Sequence, residues 1–329
     1  MFRYFIALAL TATIILVMGV GLYGRPINKE DSSRKEFTIS SGQTLDQIAT
    51  NLSQAGLIRS RTLFKLTIFR LNLAKKIQAG YFSLSPSQNI TEISQSLTKA
   101  SARQVLVTIP EGLRREEVAT LILDKLAASK FPHQFNPDEF IRLTVKLEGH
   151  LFPDTYALAP NVTTQEVIDK MTSQFVQVTK DLNISPDQLN RIVILASLVE
   201  REAGSDVERP EIASIITKRV ENKWPLQIDA TVQYAISTAR CRIRICNWWP
   251  NSLSKADLAI ESPYNTYKVT GLPPMPIDNP GKSSLAAAVK PNPTQNWFYL
   301  HDGLGQVHYA TSIEEHNRNI CTYLKKDCK

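Results

Sequence analysis

Metal chemistry is the first thing this sequence fails to support. Only 4 cysteines and 5 histidines occur in 329 residues. Neither Cys241 with Cys246 nor Cys321 with Cys328 has the C-x2-C spacing of a zinc site. His308 and His316 do not stand one helical turn apart and HExxH is absent, so neither a metal nor any other cofactor is expected. The marks of nucleic-acid recognition are missing as well: there is no RNP-like aromatic cluster, no zinc finger and no long basic run. No internal repeat or low-complexity tract appears, and 43% hydrophobic residues are enough for real cores rather than disorder. The net charge of +7 suits an anionic partner such as phospholipid headgroups or an anionic polymer, without choosing among them.

Residues 4–23 form an apolar run of about the length that spans a bilayer, preceded by Arg3 and followed by Gly24, Arg25 and Pro26. No A-x-A cleavage pattern closes it, so the expectation is a single-pass membrane anchor rather than a removed signal peptide. The basic residues after the run, Arg25, Lys29, Arg34 and Lys35, outnumber Arg3 before it and favour keeping the bulk of the chain inside. The cysteines argue the other way. They are even in number, all lie far from the apolar run, and two short loops closed by Cys241–Cys246 and Cys321–Cys328 are expected outside the cytosol, although four cysteines allow three connectivities. The bulk of the chain is therefore placed on the extracytoplasmic side.

Beyond a linker at 26–35, residues 36–39 read as a strand, and Thr44 with Gln47 forms a capping box for a helix carrying Leu45, Ile48, Ala49 and Leu52. A second periodic segment at 63–71, the turn and strand QAGYFSL, and a helix marked by Ile90, Ile93 and Leu97 complete a small α/β unit. A strand at 105–109, the turn Pro110-Glu111-Gly112 and a helix at 116–129 open the next region. Asn136-Pro137 starts a short helix. Thr163 and Glu166 cap one whose Val167, Ile168, Met171, Phe175, Val178 and Leu182 are core by their spacing. A helix at 210–222 precedes the long Pro- and Gly-rich stretch 263–281, PYNTYKVTGLPPMPIDNPG, whose length and Tyr, Asn and Thr content mark a binding loop. A hairpin around residues 302–305 and a helix capped by Thr311 and Glu314 close the chain. The fold class is α+β. The parts are an anchor at 1–25, the linker at 26–35, the small module at 36–104, a connecting part at 105–185 and a mixed helical and β part at 186–329.

One helix in that last part stands apart. In RIVILASLVERE, residues 191–202, a nearly all-apolar body ends abruptly in charge. With Ser185 as N-cap, Pro186 at N1 and Gln188 at N3, residues Val193, Ala196, Ser197 and Glu200 fall on one face at i, i+3, i+4 and i+7. The small Ala196 and Ser197 leave room beside Glu200, and the apolar helix would desolvate that carboxylate and favour its protonated form. Such an acid can hand a proton to a poor leaving group. Glu202, two residues on and about 200 degrees round the helix, is expected to be structural or a salt-bridge partner.

Five patches mix polar, aromatic and turn residues beyond what packing requires: LEGHLFPDTY (147–156), ASLVERE (196–202), LQIDATVQYA (226–235), SPYNTYKVTGLPP (262–274) and HYATSIEEHN (308–317). In this order they resemble the membrane-anchored endolytic murein transglycosylases, the YceG-like proteins, over the chain from about residue 36 to its end. The resemblance implies cleavage of the glycan strand of peptidoglycan between N-acetylmuramic acid and N-acetylglucosamine without water, the muramic 6-hydroxyl capturing C1 to leave a 1,6-anhydro end. It places the family's catalytic glutamate at Glu200. It further implies a LysM-like module at 36–104, glycan strands and the membrane as partners, and association with the peptidoglycan synthases. Asp229 and Thr231, at the start of a helix, and Tyr264, Asn265, Thr266 and Tyr267, with amide, hydroxyl and ring faces suited to sugars, are the candidate substrate-binding residues. Asp229 also reads as that helix's N-cap, and the two tyrosines also read as pins for their own loop. Glu148, Phe152, Pro153, Asp154 and Tyr156 are expected to shape the boundary between the regions. The chain departs from the family's common pattern at residues 238–252, TARCRIRICNWWPNS, where the cysteine pair and Trp248-Trp249 give the loop its own character. A hypothesis of another class is a non-catalytic, membrane-anchored glycan-binding scaffold of the wall-synthesis machinery.

Overall fold

The computed structural model describes residues 23–40, 42–98, 104–129, 133–241 and 246–325. The expected membrane span lies outside these residues but for Tyr23; among the described residues no helix is long and apolar enough to cross a membrane. The chain divides into two compact units, one ending at Gln104 with Ala159–Asn161 added, the other made of Val105–Leu158 and the residues from Val162 onward.

In the first unit β1 (Lys35–Ile39) pairs antiparallel with β2 (Gly80–Leu84), Phe37 opposite Phe82. Between them run α1 (Leu45–Gln54) and α2 (Arg61–Arg70), and α3 (Ile90–Ser96) follows. Each helix start is fixed by its own side chains: Thr44 and Gln47 form the expected box, Ser60 accepts from the Leu63 N–H, and Asn89 with Glu92 repeats the box at α3. The helices then bury one face, Ile48, Leu52, Phe64, Ile68 and Ile93 closing over Phe37, Phe82 and Leu84.

In the second unit β3 (Val105–Thr108) pairs antiparallel with β4 (Thr155–Leu158). The sheet is covered by α4 (Arg115–Ala128), α5 (Pro137–Leu143) and α6 (Thr164–Asp181), which share the core of Val107, Val118, Ile122, Phe140, Leu158 and Met171. The Thr163–Glu166 box and the Asn136-Pro137 start are both present. A second core gathers around α7 (Pro186–Glu202), against which α8 (Arg209–Glu221), α9 (Asp229–Arg240) and α11 (Lys282–Val289) pack, with the short α10 (Lys255–Leu258) beside α9. All seven residues from Val193 to Val199 are buried, so this stretch of the helix is enclosed on every side, while its first turn is exposed. That enclosure is possible because Ala196 on α7 faces a helix whose own buried residues are Ser284, Leu285, Ala287 and Ala288. Deleting one of these Leu or Ile side chains would cost about 2–5 kcal/mol.

Some end signals act differently from expectation. Ser185 is the N-cap of α7, but its hydroxyl bonds the Gln188 side chain at 2.8 Å and not a backbone N–H. The hairpin of β5 (Phe298–His301) and β6 (Val307–Ala310) forms as expected, with His308 Nε2 on Asp302 Oδ2 at 3.0 Å. The helix after it, α12 (Ile313–Asn319), is capped one residue later than expected, by Ser312, which accepts from the Glu315 N–H. Glu315 in turn accepts the Thr311 N–H at 2.7 Å, so the box is shifted in register rather than absent. Cys241 and Cys246 are joined in a disulfide and Cys321 is disulfide-bonded as well; Cys328 lies outside the described residues.

Two buried ions tie the helices to the β3–β4 region. Arg114 is fully buried, its guanidinium between the rings of Tyr234 and Trp248 at 4.1 and 4.6 Å, with bonds to Glu116, Thr238 Oγ1 and the Tyr234 carbonyl. Glu148 is also fully buried. It accepts the Arg115 N–H at 3.0 Å, Arg115 Nη1 at 3.1 Å, Asn279 Nδ2 at 3.2 Å and the Tyr234 hydroxyl at 3.4 Å. Burial pushes the Glu148 carboxyl up to about 7, with Arg115 pulling it back. Glu148, expected at the boundary of two regions, is thus an internal brace between the segments 105–158 and 229–281. Glu148→Ala strands Arg115 and should lower stability by about 3–5 kcal/mol, read as a shifted midpoint in urea unfolding; Arg142→Ala, a surface change, should shift it by less than about 1 kcal/mol.

Candidate active site

Glu200 emerges from the enclosed part of α7 with only 7% of its side chain exposed. The chain then turns back through residues 203–208, and Glu208 fixes the turn by accepting the Gly204 N–H at 2.9 Å and the Ser205 hydroxyl at 2.8 Å while His301 Nε2 sits 2.9 Å away. That return brings Arg209 against Glu200. Its Nη2 and Nη1 lie 3.2 and 3.4 Å from Glu200 Oε1, its Nε bonds Asp206 at 2.8 Å and its Nη1 bonds Ser284 Oγ at 3.1 Å. A basic residue at the start of α8 opposes the helix dipole; the two carboxylates account for its position.

The facing wall is made of two loops held to each other by backbone. The Gly112 N–H donates to the Asn279 carbonyl and the Asn279 N–H to the Leu113 carbonyl, both at 3.0 Å. The Asn279 side chain completes the tie, accepting from the Leu151 N–H and donating to the Leu113 carbonyl, each at 2.9 Å. Ser197, one position from a full turn before Glu200, accepts the Ile277 N–H at 3.2 Å and donates to the Ile194 carbonyl at 2.8 Å. The small residue expected to leave room beside Glu200 therefore anchors the loop that fills it. Gly281 gives its N–H to Glu200 Oε2 at 2.9 Å. A guanidinium and a backbone donor thus each meet one oxygen of this buried carboxyl group.

Two further acids complete the site. Glu111 is 47% exposed, and its Oε2 lies 3.8 Å from Arg209 Nη2; desolvation and the neighbouring charge of Glu200 raise its carboxyl above the ordinary range, against the pull of Arg209. Asp278 is fully buried with neither carboxyl oxygen hydrogen-bonded among the described residues. Burial pushes it well above the usual carboxylate range, Glu200 adds to this, and Arg201 opposes it. The Arg201 guanidinium lies over the Trp249 ring at 3.9 Å, and Trp249 Nε1 donates to Glu117 Oε2 at 3.0 Å.

The other expected site residues are placed unevenly. Glu202 points away from Glu200 and accepts the Tyr299 hydroxyl at 2.7 Å, the structural role foreseen for it. Asp229 is not a cap: the N-cap of α9 is Ile228, and exposed Asp229 is the first helical residue, accepting the Tyr267 hydroxyl at 2.6 Å. Thr231, Asn265 and Thr266 are buried. Thr231 donates to the Ile228 carbonyl at 2.6 Å and meets Thr266 Oγ1 at 2.9 Å, while Thr266 Oγ1 accepts the Ile228 N–H at 3.0 Å. Asn265 donates to the carbonyls of Leu258 and Ile260 and accepts the Tyr267 N–H. These three leave no surface for a sugar and hold the 263–281 loop to α9 and α10. Tyr264 packs on Tyr234 at 4.9 Å between centroids and is partly buried, as is Tyr267, which is bonded to exposed Asp229. Glu111, Arg209 and Asp278 were not foreseen as site residues; the sign available was a basic residue placed at a helix start and an acid in a strand-to-helix turn.

The YceG-like family model matches residues 37–322, and the chain belongs to that family. It is 31% identical over 334 residues to the endolytic murein transglycosylase of Bacillus subtilis (strain 168), covering 92% of this chain and 90% of the relative. It is 26% identical over 339 residues to the protein of the same name in Streptococcus pneumoniae serotype 2 (strain D39 / NCTC 7466), covering 91% of this chain and 60% of that one. The crystal structure of a putative YceG-like protein from Listeria monocytogenes aligns over 88% of this chain and 99% of its own with a TM-score of 0.53 and 26% identity.

Ser197→Ala orphans the buried Ile277 N–H and should cost about 1–3 kcal/mol while reducing turnover, because the loop carrying Gly281 loses its anchor. Asn265→Ala should cost a similar amount with KM for glycan nearly unchanged. Thermal unfolding and steady-state kinetics on purified glycan strands check both.

Proposed function

We propose that this protein is a peptidoglycan lytic transglycosylase acting endolytically on nascent strands at the bond between N-acetylmuramic acid and N-acetylglucosamine. One observation carries the reading: a carboxyl group at the end of a buried helical stretch is held by Arg209 and Gly281 at the meeting point of two braced loops. The B. subtilis relative, matched over nearly its whole length, bears the name of that activity. The minimal scheme uses Glu200 alone. As an acid it donates a proton to the leaving glycosidic oxygen; as the carboxylate it takes the proton of the muramic 6-hydroxyl, whose oxygen closes on C1 to give the 1,6-anhydro end. Burial of the carboxyl group and the close loop wall favour the internal hydroxyl over water as the acceptor.

The rest of the proposal follows the sequence. The apolar run at 4–23 anchors the protein in the cell membrane with the catalytic part outside the cytoplasm, and cutting close to the membrane limits strand length beside the synthases. The order β1-α1-α2-β2, with both strands paired, suits a LysM-like module that meets glycan or sets the cleft's height. Asp229 and Tyr267 are the candidates to meet sugar hydroxyls.

Glu200→Gln keeps side-chain volume and removes the titratable proton. It should abolish release of anhydro-muropeptides while leaving strand binding within about twofold, as effects confined to the chemical step fall on kcat. Mass spectrometry of wild-type products should show ends lacking one water relative to a hydrolase's. Equal release by wild type and variant would instead support a glycan-binding scaffold.

A further inference from the structure

A single glycine serves two carboxyl groups in this site. The N–H of Gly281 donates to Glu200 Oε2, and a Cβ on Gly281 would stand 1.8 Å from Glu111 Oε1 and 2.0 Å from its Cδ, so the Glu111 carboxyl occupies the space a side chain would need. The residue after Glu111 closes the arrangement from the other side: a Cβ on Gly112 would touch Glu200 Cγ at 3.5 Å. Arg209 Nη2 lies 3.2 Å from Glu200 Oε1 and 3.8 Å from Glu111 Oε2, so those two oxygens are no more than about 7 Å apart. Carboxyl pairs about 5–9.5 Å apart are the ones that flank a glycosidic bond in hydrolases. The two groups differ in access. Glu200 is nearly covered, and its recorded partners, the Arg209 guanidinium and the Gly281 N–H, are all donors that suit the carboxylate; Glu111 stands half open.

We propose that Glu111 is the second catalytic carboxyl group of this site, donating the proton to the leaving oxygen while Glu200 receives the one released by the 6-hydroxyl. This rests on the transglycosylase reading and divides between two groups the transfers that the minimal scheme gives to one. The bond from C1 to the bridging oxygen breaks, and that oxygen keeps the electron pair and takes the Glu111 proton. The 6-oxygen bonds to C1 and its proton passes to Glu200, so no water is consumed. Return of that proton from Glu200 to Glu111 resets the pair. The charged groups around Glu111 suit a proton carrier: Glu200 and Asp206 raise its hold on a proton, Arg209 lowers it, and Arg201 and Asp278 lie around Glu200 behind it.

The test compares the full-length Glu111→Gln, Glu111→Asp and Glu111→Ala proteins with wild type and Glu200→Gln on purified glycan strands across pH, with thermal melting to confirm folding. Glu111→Gln should lose about 10²–10⁴-fold in kcat with strand affinity within twofold, and its residual rate should lack the alkaline fall expected of wild type as the acid deprotonates. Glu111→Asp should keep that fall at reduced kcat, and added formate should restore part of the Glu111→Ala rate. A Glu111→Gln protein with wild-type kcat and pH profile, beside an inactive Glu200→Gln, would overturn the assignment and leave the transglycosylase reading intact. Low activity with an unchanged profile in both Glu111→Gln and Glu111→Asp and no rescue of Glu111→Ala would reduce Glu111 to a structural ion-pair partner, also overturning it. Full activity of Glu200→Gln would remove the underlying reading itself.

Discussion

The second unit depends on the exchange of backbone hydrogen bonds between residues 112–113 and Asn279. It joins the turn after β3 to the end of the long 263–281 loop, and the Asn279 side chain extends the joint to Leu151 and Glu148. Without it the two loops beside Glu200 would be independent of each other, each entitled to its own motion. With it, Ser197 on α7 and Glu148 behind β4 hold opposite ends of one braced structure. Gly112, Glu148, Leu151, Ser197 and Asn279 are buried, so each of their polar groups has its partner or bears the full penalty of lacking one. Asp278 is the exception, and its position beside the braced joint and Glu200 is where such a penalty is tolerated for a site rather than for a fold.

Much of the local structure was legible because its causes are local. Thr44 with Gln47 and Thr163 with Glu166 satisfy orphan N–H groups within their own first turns, so tertiary packing did not need to be known. The late cap at Ser312 shows the limit of this reasoning. Thr311 and Ser312 are both competent hydroxyls, with acids at three and four residues' distance; Ser312 takes the cap and Thr311 bonds the Glu315 side chain instead. Glu200 was legible because a helix's repeat puts it on a face with Val193 and Ser197. Its side chain is buried at the end of the apolar stretch, beside a counter-ion that no helical repeat announces.

What the sequence concealed was contact at long range. Arg209 reaches Glu200 through a turn set by Glu208, and Glu111 reaches the site from a strand end far earlier in the chain. No periodicity relates these positions. Asn265 and Thr266 were hard to read for a different reason. Amides and hydroxyls that recognise a sugar are the same groups that satisfy the backbone of a long loop, so composition could not separate the two uses; burial of Asn265 and Thr266 does.

Arg114 lends this unit a fixed orientation of charge. Its guanidinium is sealed between the rings of Tyr234 and Trp248 and bonded to Glu116, Thr238 and the Tyr234 carbonyl, so it cannot swing without breaking several contacts at once. From that position its charge lowers the proton affinity of the buried Glu148 carboxyl. A lysine there would offer a point charge without the planar fork that fits between two rings.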